Sequence, residues 1–146
     1  MTKAALAHLD PDAWTSAHEH PSIRILLAEH DHHLRRLIAL VLRRDGHFVV
    51  EASDGTKLLD VVASLLLDHR RHYDLIVSEQ RLPGIQGLSA LSALRTAGDL
   101  TPFVLITADP DVQAQAARLG AVVLDQAGNV EALRRAVGGA GAAPAR

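Results

Sequence analysis

From Ile23 to Val137 the apolar positions of this chain alternate between two rhythms. Short unbroken apolar runs are followed by stretches in which Leu, Ile, Val and Ala recur every three or four residues. The first rhythm suits a strand buried on both faces, the second a helix with one buried stripe. Ile23–Ala28 opens as a strand. Leu34, Leu37, Ile38, Val41 and Leu42 then fall at helical spacing, with Arg35, Arg36, Arg43 and Arg44 mostly on the other side. Asp45-Gly46 stops that helix, since glycine takes the left-handed backbone position at no steric cost.

The alternation repeats four more times. His47–Glu51 reads as the second strand. Ser53-Asp54-Gly55 offers caps for a helix carrying Leu58, Leu59, Val62, Leu65 and Leu66. Asp74–Ser78 is the third strand and Leu88–Ala97 the third helix. Phe103–Thr107 follows as the fourth strand. Asp109-Pro110 then places a capping acid and a first-turn proline before a helix that ends at Leu119-Gly120. Ala121–Leu124 is the fifth strand, and Asn129 caps a last helix through Val137. Five strand-then-helix units predict an α/β domain, a parallel sheet covered by helices on both faces. Residues 1–22 show no sustained period and read as a flexible arm. The Gly/Ala/Pro-rich stretch 138–146 reads as a disordered tail.

Composition narrows the function classes. A length of 146 residues suits one domain. The formal charge of −2 gives no general pull toward nucleic acid or membrane. The absence of cysteine excludes disulfides, thiol catalysis and cysteine-based zinc sites. With aromatics at 3%, a base-stacking surface is not expected. No apolar stretch is long enough to span a bilayer and no secretory signal opens the chain, so a cytoplasmic location is the expectation. Neither a Gly-x-Gly-x-x-Gly turn nor a Walker loop is present, which removes both common phosphate cradles.

In open parallel sheets, reactive groups gather at the carboxyl ends of the strands. Here those ends carry Glu29-His30-Asp31, Glu79, Thr107-Ala108 and Asp125-Gln126. The third is the most telling: Asp74-Leu75-Ile76-Val77-Ser78 ends in Glu79 and enters Gln80-Arg81-Leu82-Pro83-Gly84. This stretch resembles the phosphoacceptor segment of the response-regulator receiver domains of two-component signalling, where an aspartate stands before a Leu-Pro-Gly loop. The resemblance covers Ile23 to Val137. It implies a flavodoxin-like doubly wound (βα)5 fold with strand order 2-1-3-4-5, two helices on one face and three on the other.

In that family two acids after the first strand bind Mg²⁺, and the aspartate after the third accepts phosphate from a histidine kinase. A Thr or Ser after the fourth strand binds the phosphoryl group, and a Lys after the fifth pairs with it. Matched residue by residue, Glu29 stands for the first acid and Thr107 for the switch hydroxyl. His30 replaces the second acid, with Asp31 beside it completing the acidic pocket. Glu79 is the phosphoacceptor equivalent and Gln126 the lysine equivalent. Phosphoryl transfer depends on positioning and charge neutralisation, and these substitutions remove a hard oxygen ligand, a cation and the acceptor's geometry. The expectation is a pseudo-receiver: a stand-alone signalling module, not an enzyme, with no cofactor and weak Mg²⁺ affinity. It would act by protein contact through the surface Asp109–Val137, with a signalling protein such as a histidine kinase or a second copy, and not with nucleic acid or membrane. The alternative is a response regulator still phosphorylated or metal-regulated at an altered pocket.

Two local readings stay open. Glu79 either imitates a phosphorylated aspartate or is a strand-end acid satisfied by His30 or a loop amide. The run Glu29-His30-Asp31-His32-His33 has the donors that Zn²⁺, Ni²⁺ or Cu²⁺ prefer, yet adjacent side chains at a helix start diverge. Without a remote ligand it predicts no metal site. His69–His72 reads as a solvated helix end, and the helix arginines as a solvated face.

Overall fold

The computed structural model describes residues 21–68, 72–126 and 129–141, so most of the N-terminal arm and the last five residues lie outside the described residues. Ten elements alternate without exception. They are β1 (Arg24–Ala28), α1 (His32–Arg44), β2 (Phe48–Ala52), α2 (Gly55–Leu67), β3 (Leu75–Glu79), α3 (Gly87–Thr96), β4 (Phe103–Ile106), α4 (Pro110–Arg118), β5 (Val122–Leu124) and α5 (Val130–Gly141). All strand pairs are parallel and the order is β2-β1-β3-β4-β5. The expected fold and strand order are therefore present.

The unbroken apolar strands are the central ones. Successive residues of β1 feed opposite faces: Ile25 and Leu27 join one core, Leu26 and Ala28 the other. The first core is closed by Ile38, Ala39 and Leu42 of α1 with Leu133 and Val137 of α5. The second is closed by Leu58 and Val62 of α2, Ala90, Leu91 and Leu94 of α3, and Ala116 of α4. Two helices thus cover one face and three the other. Each fully buried Leu, Ile or Phe contributes roughly 1.5–3 kcal/mol over an exposed one, which outweighs any single polar contact on the surface.

The local stop and start signals act as read. Asp54 accepts from the Lys57 N–H at 2.8 Å, Asp109 from Asp111 at 2.9 Å, and Asn129 from Ala132 at 3.1 Å. Gly46 takes φ 95°, the left-handed value expected after α1.

The last helix departs from expectation. It runs to Gly141, so residues 138–141 are helical rather than part of a tail. Ala136 and Ala140 pack at the edge of the core in line with Leu133 and Val137, and that continuing stripe offsets the ~1 kcal/mol helix cost of each glycine.

A second departure concerns the expected contact surface. Ala116, Leu133 and Val137 are buried and Val112 packs on the core, so these apolar positions are turned inward. The exposed apolar side chain on that side is Val122, at the β5 edge.

Candidate functional site

The parallel strands deliver their carboxyl ends to one side of the sheet. There an open cleft of about 620 Å³ is lined by residues that include Glu29, Glu79, Arg81, Thr107, Asp125 and Gln126. A groove of about 700 Å³ between α3 and α4 is slightly larger, but its lining carries no charged side chain.

Glu29 follows β1 and is 2% exposed. Its backbone N–H donates to the Ala52 carbonyl at 3.1 Å, which continues the β1–β2 pairing one residue past the strand. Oε1 accepts from the Asp31 N–H at 3.3 Å, whereas Oε2 is buried and has no hydrogen-bond partner. Arg35 reaches the Glu29 backbone carbonyl at 2.9 Å and pairs with Glu51, so its charge is shared away from the pocket.

Glu79 is held from the opposite strand. The His30 backbone N–H donates to Glu79 Oε1 at 2.7 Å, and the His30 ring Nδ1 bonds the same oxygen. His30 Nδ1 also lies 3.6 Å from Glu29 Oε1. One half-exposed imidazole therefore sits between two carboxyl groups that the chain separates by fifty positions, less the strand and helix geometry that brings them together.

The electrostatics follow from this packing. Burial, and then the charge of Glu79, push the Glu29 carboxyl up to about 7. The hydrogen bond to Glu79, and then its charge, raise the His30 imidazole above its ordinary 6.5. Both effects favour a proton in this pocket: a near-neutral Glu29 beside a cationic His30.

Asp31 is not part of that cluster. It is the N-cap of α1, its Oδ1 accepting from the Leu34 N–H at 3.0 Å, and that bond holds its carboxyl below the usual range. The physical reason is direction: a capping side chain folds back over its own helix end and cannot also face the cleft. His32 turns toward Arg35 and His33, so the histidine run disperses as its spacing implies.

Thr107 is buried at the cleft wall. Its N–H donates to the Leu124 carbonyl at 2.8 Å, and its hydroxyl accepts from the Asp109 N–H at 3.2 Å. Gln126 is exposed on the lining; Ala127 and Gly128 beyond it lie outside the described residues. The chain's lysines are Lys3, which lies outside the described residues, and Lys57, which is in α2 and not on the cleft lining.

Two residues escaped the sequence reading. Gln80 is 8% exposed; its Oε1 accepts from the Leu88 N–H at 2.8 Å and its Nε2 donates to Gln86 at 3.0 Å. It clamps the Pro-Gly loop shut behind Glu79. A polar amide directly after a buried strand was the available signal. Arg81 brings a cation to the rim, on the β3 side of the cleft. Gly87 completes the wall: a Cβ there would meet the Glu79 carbonyl oxygen at 2.5 Å and Leu105 Cδ1 at 2.7 Å.

The donor set here departs from the one that Mg²⁺ takes. That ion takes oxygen ligands in near-ideal octahedral geometry. Here an imidazole replaces one of the strand-end acids and already occupies the facing oxygen of Glu79.

A five-stranded doubly wound parallel sheet of order β2-β1-β3-β4-β5, with an acidic cleft at the strand ends, is a flavodoxin-like fold. A sequence model of the family described as "Response regulator receiver domain" matches residues 25–133, and the chain belongs to that family. Among curated relatives, response regulator MprA of Mycobacterium bovis (strain BCG / Pasteur 1173P2) is 32% identical over 100 residues, 68% of this chain and 41% of MprA. The chain thus spans about two fifths of that relative's length. Among solved structures, the non-phosphorylated HemR receiver domain from Leptospira biflexa superposes with a TM-score of 0.73 at 20% identity, covering 86% of this chain and 98% of that one. Response regulator TrrA from Thermotoga maritima, in complex with Mg²⁺-BeF, gives 0.67 at 22% identity, covering 81% and 98%. Among the described residues no helix is long and apolar enough to cross a membrane.

Proposed function

We propose that this receiver domain signals without accepting phosphate, holding one dominant conformation and presenting a fixed protein-contact surface along α4, β5 and α5. The observation that carries the reading is the engagement of Glu79: the carboxylate at the acceptor position is tied to the backbone and ring of His30. Two hydrogen bonds on Oε1 orient the carboxylate toward His30, and phosphoryl transfer needs the acceptor oriented toward the incoming phosphorus. The charges that phosphoryl transfer requires are also displaced. Gln126 stands where an ammonium would, and the imidazole stands where Mg²⁺ would find an oxygen. A two-state equilibrium that no ligand biases stays in its dominant population.

Partners on this reading are signalling proteins of the two-component type or a second copy, with no bound Mg²⁺ required. Thr107 keeps its place on the cleft wall, which supports the alternative of residual phosphorylation. Acetyl phosphate with Mg²⁺, followed by intact mass measurement, separates the two. An unchanged mass is expected. A stoichiometric gain of one phosphoryl group mapping to Glu79 overturns the proposal.

A further inference from the structure

We propose that Glu29, His30 and Glu79 form a site for a borderline divalent transition-metal ion, Zn²⁺ foremost, where the family's pocket is built for Mg²⁺. One atom from each residue, a carboxylate oxygen from Glu29 and Glu79 and a ring nitrogen from His30, lies within 4.8 Å of the others. The sequence alone lacked a remote ligand for the histidine run, and the fold supplies it: Glu79 arrives from β3 beside the residues that follow β1.

A second observation concerns the same carboxyl group, which lines the cleft. Glu29 is 2% exposed and its Oε2 has no hydrogen-bond partner. A buried carboxyl oxygen without a donor can be satisfied by a proton or by a cation that takes the proton's place, and the guanidinium that reaches Glu29, that of Arg35, is spent on the Glu29 backbone carbonyl and on Glu51.

The donor set selects among cations. One imidazole and two carboxylates match the ligands of zinc sites, at about 2.0–2.2 Å from the ion. Tetrahedral ligands at that distance stand about 3.4 Å apart. The 3.6 Å between His30 Nδ1 and Glu29 Oε1 is already close to this edge. His30 Nδ1 and Glu79 Oε1 would have to part, the ion replacing the hydrogen between them. The ring can move, since its side chain is 53% exposed. Three protein ligands leave a fourth position for water or an anion. That position opens on the cleft that Thr107 and Gln126 line.

The inference concerns the same pocket as the signalling proposal, and its test is made on unphosphorylated protein so that the two can fail separately. A phosphoryl gain from acetyl phosphate would overturn that reading and leave a zinc titration unaffected.

The test is Zn²⁺ added to the metal-free full chain in competition with a chromophoric chelator, with Mg²⁺ titrated in parallel. One Zn²⁺ per chain at micromolar affinity or tighter is expected, with Mg²⁺ at least a hundredfold weaker. His30→Ala changes a half-exposed residue, so the fold should survive, and circular dichroism checks this. It should weaken Zn²⁺ at least tenfold, as should Glu79→Gln. The pair His32→Ala and His33→Ala should leave affinity unchanged. His30→Asp should reverse the preference, weakening Zn²⁺ and tightening Mg²⁺. The proposal fails if His30→Ala leaves Zn²⁺ affinity unchanged, if the His32/His33 changes remove it, or if Mg²⁺ binds as tightly as Zn²⁺.

Discussion

At the scale of single residues, Glu29 and His30 give the domain an unusual dependence on pH. The Glu29 carboxyl, ordinarily 4.5, titrates at about 7 in the folded protein, and His30 is raised above 6.5. A group whose folded-state value is raised contributes stability that is full below its unfolded value and lost as pH rises through the folded one. Both groups therefore act in the same direction. With a chelator present, thermal unfolding should move to lower temperature between about pH 5 and about pH 8. Glu29→Gln, which cannot ionise, should flatten that slope. A midpoint that climbs across this window, or a slope indifferent to Glu29→Gln, would contradict the assignment. Gly87 is a second residue with a defined cost. Its replacement by Ala forces a Cβ against the Glu79 carbonyl, and the loss expected from such overpacking is about 1–3 kcal/mol in chemical denaturation.

At the scale of elements, the helices are fixed by caps at one end and packing along one face. Asp109 alone accepts two N–H groups at the start of α4, a nine-residue helix with Ala116 as its buried residue. With so little burial behind it, α4 depends on its cap more than α1 does, whereas α3 has no side-chain cap from its N-cap residue Gln86 and rests on its packing. Asp109→Ala should cost about 1 kcal/mol, read as a lower denaturant midpoint at unchanged slope. The arginines of α1 also gain a role at this scale. Arg35 and Arg43 pair with Glu51 of β2, and Arg43 donates to the Val49 carbonyl at 2.9 Å. They fasten a helix to an edge strand, which leaves them poorly placed to contact a phosphate backbone.

At the scale of the whole molecule, the proposed output surface meets the cleft at Asp109 and Val112, but Val122 of β5 is not among the cleft's lining residues, so its energetics should separate from those of Glu79. Glu79→Ala removes a local ion pair with a half-exposed histidine, and partner affinity should stay within about 1 kcal/mol. Val122→Glu places a charge on the exposed apolar side chain of the β5 edge and should weaken association far more. Sedimentation or pull-down in which Glu79→Ala abolished association while Val122→Glu had no effect would replace the fixed-surface reading with phosphate mimicry. The bidentate contact of Arg134 with Asp45, at 2.8 and 2.9 Å, ties α5 to the end of α1 and holds that surface in place.

The sequence by itself determined the alternation, because apolar period and capping are local: a buried strand must be apolar throughout, and a helix must repeat its stripe. It also placed Glu29, Glu79, Thr107 and Gln126 at strand ends, since a parallel sheet carries all its carboxyl ends to one side. Strand order rested on the Leu-Pro-Gly resemblance, and the sheet bears it out. Tertiary structure alone decided where side chains point. Asp31 was counted in the pocket but caps its own helix, because a backbone N–H three residues ahead is closer than any cleft partner. Within the expected contact segment Asp109–Val137, Leu133 and Val137 belong to the core, because one stripe cannot serve both sheet and partner. The helix outran its glycines because Ala140 found the same core. The pairing of His30 with Glu79 was one reading that the sequence left open; the contact, across 49 positions of chain, forms once β1 and β3 pair.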